Sequence, residues 1–118
     1  MSTLALLAAG ALLLALFVRQ GAARQVSFRG SIQPIFNAKC TMCHPVAYPY
    51  LDLRDGHAYG QLVGVVSPLS PAFERVLPGR PELSFLLTHV PDPSRRHLLS
   101  GAEIRLLTRW IVQGARNN

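Results

Sequence analysis

The chain has 118 residues, 49% of them apolar and 15% charged, with twelve basic against six acidic side chains and a formal charge of +6. That length holds one small domain and little else, and the balance of apolar to charged residues excludes a disordered or low-complexity chain. The surplus charge is scattered arginine with a single lysine, not a basic stripe interleaved with aromatics; this argues against nucleic-acid binding and leaves a surface suited to acidic partners or an anionic membrane.

Leu4 to Val18 is an unbroken apolar run of fifteen residues, followed by Arg19 and by small residues at Gly21 and Ala23. Its length fits the apolar region of a cleaved signal peptide better than a full membrane span, which takes about 20 residues. No Lys or Arg precedes the run, whereas Arg19, Arg24 and Arg29 follow it, which keeps a retained N-terminal anchor open. Residues 1–23 are therefore read as a signal peptide or a hydrophobic N-terminal anchor helix, and residues 24–118 as the folded domain. Either reading places that domain in the periplasm or on the outer face of a membrane.

Beyond the leader, Phe28, Ile32, Ile35 and Phe36 recur on one helical face, with Ser31 as the expected cap and Pro34 tolerable in the first turn. This helix delivers Cys40. The stretch that follows, "HPVAYPYLDLRDG", holds two prolines and a glycine and reads as turns. Residues 57–66 suit a short helix or an extended run equally well. "SPLSPAFERVLPGRP" adds four prolines, and "PELSFLLTHV" starts a short helix expected to end near His89. The last element is the plainest: Ser100 and Glu103 form a capping box, and Ile104, Leu107, Trp110, Ile111 and Ala115 lie along one face. The fold class read from this pattern is all-α, with three to five short helices joined by long proline-rich loops. Loops so long leave a thin core that a buried prosthetic group would complete.

Both cysteines lie in "NAKCTMCHPV". Cys40-Thr41-Met42-Cys43-His44 has the C-x-x-C-H spacing of covalent c-type haem attachment, in which two thiols take the two vinyl groups and the adjacent histidine becomes the proximal iron ligand. Two other chemistries share part of the motif. A thioredoxin-like dithiol belongs at a strand-to-helix junction in an α/β pattern, whereas a helix precedes Cys40. Structural zinc takes four spaced ligands, and His57, His89 and His97 do not have the spacing. One haem c is the expected cofactor.

"IQPIFNAKCTMCH", "LDLR", "VLPGRPELSFLL" and "LSGAEIRLLTRWIVQGA" together resemble the small mono-haem cytochrome c domains of exported bacterial proteins, in particular the planctomycete-type cytochrome c domain, over Ser31 to Ala115. The resemblance implies a cytochrome c fold wrapped around one covalent haem, with the first and last helices crossing. It also implies electron transfer, without enzymatic turnover, to redox protein partners or within a larger membrane complex. Leu51, Leu53 and Leu86, with Leu87, are apolar haem contacts on the same analogy, and Trp110 is expected to pack against the first helix.

The chain departs from that family in one respect. Similar domains place a methionine before the final helix as the second iron ligand, and here that loop reads "HVPDPSRRHLLSGAEI". His97 is the first candidate to replace it, His89 the second and His57 the third, which predicts bis-histidine ligation. Arg95 and Arg96 stand beside His97 and suit propionates, a partner or solvent. The alternative is a five-coordinate haem that binds a small ligand or reduces peroxide.

Overall fold

The computed structural model describes residues 24–89 and 99–118. The leader, His97, Arg95 and Arg96 lie outside the described residues. The architecture is all-α: helices and turns, with isolated bridges but no named strand among the described residues. Among them, too, no helix is long and apolar enough to cross a membrane.

The chain enters at Ser27, whose hydroxyl accepts the Gly30 N–H at 2.9 Å and caps a π-helical turn, Phe28–Ile32. That turn runs directly into α1, Gln33–Lys39. The cap is therefore Ser27 and not Ser31, which lies inside the turn. Pro34 accounts for the wider winding: its ring would press on the carbonyl four residues back and it has no N–H to donate, whereas the π register bonds Gln33 N–H to Phe28 O instead.

Phe28, Ile32, Ile35 and Phe36 are all buried, as their spacing predicts. Phe28, Ile32 and Phe36 share one core with α4, Gly101–Val112, whose Leu107, Trp110 and Ile111 are completely covered. The Phe28 and Trp110 rings lie 5.3 Å apart, and Tyr59 closes the cluster 5.3 Å from Phe28. Covering an aromatic or leucine side chain contributes roughly 1.5–3 kcal/mol, well above the ~1 kcal/mol of a net hydrogen bond. This face therefore sets the arrangement, and polar ties lock it. Gln113 accepts the Val26 N–H at 2.8 Å, and Asn118 accepts that of Phe28 at 2.9 Å. The Trp110 indole N–H donates to Arg116 O at 3.0 Å.

Both ends of α4 have explicit caps. Ser100 Oγ accepts the Glu103 N–H at 3.1 Å while Glu103 accepts the Ser100 N–H at 2.8 Å, completing the expected capping box. At the other end Gly114 has φ +105°, Gly114 N–H bonds Ile111 O and Ala115 N–H bonds Trp110 O; the two bonds form a Schellman stop, for which glycine's access to positive φ is needed.

Between these elements residues 57–66 resolve into both of their possible forms. Ala58–Leu62 is a short helix, α2, and Val63 to Ser67 then runs extended against residues 73–76 through the bridges Val63 to Val76 and Val66 to Glu74. A 3-10 turn, Pro81–Leu83, leads into α3, Phe85–His89. Gly79, at φ +79°, brings its N–H within 2.7 Å of Ile111 O and so fastens the P-G-x-P loop to α4.

Hydrogen bonding by Ser100 and the nearby Lys39 ammonium hold the Glu103 carboxyl below its ordinary range, against the opposing effect of burial. Its contribution is full above the usual glutamate pKa and is lost as pH falls through the lower folded value. Glu103→Ala is expected to cost about 1 kcal/mol, chiefly through the cap, since the 3.3 Å bridge to Lys39 is partly exposed. Thermal melts at pH 7 and pH 3 check this: the difference between wild type and variant should shrink at the lower pH.

Candidate haem-attachment site

α1 does not stop cleanly at Lys39. Cys40 N–H and Thr41 N–H both bond Phe36 O, at 2.8 and 3.0 Å, and the chain then winds through consecutive turns. Cys43 N–H and His44 N–H bond Cys40 O at 3.1 and 2.9 Å, so Cys40, Cys43 and His44 lie within one helical turn. Both cysteines are half-buried thiols, and Cys40 packs against the main core.

Several neighbours fix His44. Leu53 N–H donates to His44 O at 3.3 Å, and the Tyr48 and Tyr50 rings lie 5.4 and 6.2 Å from the imidazole. Its Nδ1 is buried. The ring opens onto a cleft of about 400 Å³, counting the part open to solvent, between the attachment turn and α3. Leu51, Leu62, Leu69, Phe85 and Leu86 give the cleft an apolar lining, with Arg75 and His89 among its polar members.

The far wall is placed by backbone bonding. Phe85 N–H and Leu86 N–H, which α3 leaves unpaired at its start, donate to Glu74 O and Arg75 O at 2.9 and 3.0 Å. The buried Ser84 hydroxyl accepts from Leu77 N–H at 2.9 Å and donates to Arg80 O at 3.0 Å. Phe85, Leu86 and His89 then share one face of α3 and all reach the cleft. The His89 ring lies 6.5 Å from that of His44, with the planes inclined by 59°.

Of the expected contacts, Leu51 and Leu86 line the cleft. Leu53 does not: it is 2% exposed in the main core. Asp52 bends the chain between them, its carboxylate accepting both the N–H and the guanidinium of Arg54. The same guanidinium holds the Asp52 carboxyl down to about 2. Leu87 is half-buried against the core, and Trp110 is fully covered, as expected. His57 stands beside Asp52 at 3.8 Å and is not on the cleft. Met42 is exposed on the attachment turn.

Arg75, Tyr50, Phe85 and the Ser67 to Leu69 bend were not foreseen. Arg75 donates to Gln61 O at 2.9 Å and reaches Tyr50 O at 3.4 Å, tying α2 to the attachment loop. A lone arginine in "FERVL" gives no sequence signal of that role, because it depends on the pairing of residues 62–67 with 73–76.

The cysteine environment discriminates between chemistries. Burial, aided by the negative charge of Glu103, pushes the Cys40 thiol up to about 11, whereas the attacking cysteine of a dithiol catalyst is held low. Among the described residues there is no cluster of three or more His, Cys, Asp and Glu side chains able to hold a metal ion, as structural zinc would need. The chain with unreacted thiols should therefore alkylate slowly at Cys40 near pH 8 and accelerate toward pH 11. Site-resolved mass spectrometry after timed iodoacetamide labelling measures it, and rapid labelling at neutral pH would contradict the assigned environment. No family model, curated protein or solved structure matches this chain.

Proposed function

We propose that the protein is a cytochrome c-type electron carrier, exported to the periplasm or held at the outer face of a membrane, with one haem c attached through Cys40 and Cys43. The observation that carries this reading is the union of two features: the C-x-x-C-H residues occupy one helical turn, and its histidine opens onto a cleft lined by leucines, Phe85 and a second histidine, His89.

Each thiol adds across one vinyl double bond, sulfur to one carbon and hydrogen to the other, so attachment releases nothing. His44 would supply an imidazole to the iron, held in place by the Leu53 N–H on its carbonyl and by the Tyr48 and Tyr50 rings. Leu51, Leu62 and Leu86 would give the bound group an apolar wall that excludes water, and Arg75 would offer a cation to its carboxylates. When bound, the haem supplies one-electron exchange between ferric and ferrous iron. The protein's part is to fix, shield and tune that iron for redox partners, with a basic surface that favours acidic ones.

Expression of the full chain in a host competent for haem attachment tests the reading. The expected product has the apoprotein mass, with or without the leader, raised by one haem that survives denaturation. Cys40→Ala and Cys43→Ala should each reduce attachment to one thioether, and the double variant should carry no covalent haem. A wild-type product with two unmodified thiols after such expression would count against the proposal.

A further inference from the structure

We propose that His89 is the second axial ligand of the iron whose first ligand is His44, which makes the site bis-histidine and leaves His97 outside it. This rests on the haem reading above and adds the distal donor.

The geometry points to this pair. Two metal–imidazole bonds of about 2 Å, each continued by the ~1.1 Å from ring nitrogen to ring centre, place two axial imidazole centres roughly 6 Å apart. His44 and His89 are 6.5 Å apart across an apolar cleft that both of them line. They are 45 residues apart in sequence, so local chain geometry does not bring them together.

The position of His89 is also built. α3 is anchored at its start by the bonds to Glu74 O and Arg75 O and by the buried Ser84, and Leu86 seats its inner face at 8% exposure. One turn on, His89 projects from the same face, and the Phe85 ring lies 5.8 Å from its imidazole. The other described donors do not compete: His57 is off the cleft beside Asp52, and Met42 points to solvent on the attachment turn. Two imidazoles would give a low-spin iron with no open position, and a potential below that of a histidine–methionine site.

The test uses the haem-loaded full chain and reads the iron directly, by electron paramagnetic resonance, near-infrared magnetic circular dichroism and carbon monoxide binding. Wild type is expected to be low-spin in both oxidation states, with the near-infrared signature of two imidazoles. His89→Ala should lose that signature, become high-spin when reduced and gain rapid carbon monoxide binding. His97→Ala and His57→Ala should keep the wild-type spectrum. Should His89→Ala fail to accumulate, His89→Met serves, with a thioether–iron charge-transfer band and a raised potential expected. Retention of the bis-histidine signature in either His89 variant, or its loss in His97→Ala alone, overturns the assignment while leaving the carrier reading intact. A wild-type chain without covalent haem overturns both.

Discussion

The contact between the first helical run and the last helix is the constraint on which the rest depends. Phe28, Ile32 and Phe36 share one buried cluster with Leu107, Trp110 and Ile111 of α4, the Phe28 and Trp110 rings lying 5.3 Å apart within it. Once that contact forms, the direction of α1 is set, and with it the point at which Cys40 leaves the helix. Lys39 meets Glu103 at this junction, so the residue before the attachment turn bonds to the residue that caps the last helix. The polar ties are worth individually less than the apolar face but select one register of it: Gln113 and Asn118 bond the backbone at Arg24, Val26 and Phe28.

The second wall of the cleft depends on the same helix by another route. Gly79 N–H on Ile111 O fixes the P-G-x-P loop to α4, and Ser84 fixes α3 to that loop. Both histidines on the cleft are thus referenced to α4, one through α1 and one through the loop. Neither wall contains a long helix of its own, since α3 has five residues and isolated helices below about 12 are marginal. Their stability is borrowed from tertiary bonding, so truncating Trp110 would disturb both walls together although it does not line the cleft.

How much of this was legible in the sequence follows from whether the signal was local. The capping box at Ser100 and Glu103, the apolar face of α4 and the face of the first helix depend on spacings of three to four residues, and they were read directly. The motif from Cys40 to His44 is local as well, and the single turn that gathers its residues follows from the spacing. Ser27 was missed as the cap because Pro34 widens the turn ahead of it into a π register that a 3.6-residue period does not describe. Leu53 was assigned to the cofactor by analogy and lies instead in the core, where the bend at Asp52 carries it. Arg75 and the approach of His89 to His44 depend on long-range pairing of short segments, for which the sequence offers no periodic signal.

Position in a loop and position in the fold are two different criteria for a second donor. A loop in which similar domains carry a methionine suggests a replacement at the same place, and His97 is the histidine there. That inference takes ligand position to follow loop position. The described structure supplies a different criterion: His89 stands on a wall that is already held, with its ring centre 6.5 Å from that of His44. α3 meets it because its first two N–H groups are taken by the chain at Glu74 and Arg75, which directs Phe85, Leu86 and His89 inward together. On the proposed reading the cofactor bridges two walls that are otherwise joined through α4 and through the Arg75 bonds to Gln61 O and Tyr50 O, and binding to the folded chain alone would stabilise both by mass action. The thin core and the proline-rich loops are then two aspects of one design, a chain whose interior is completed by the group it binds.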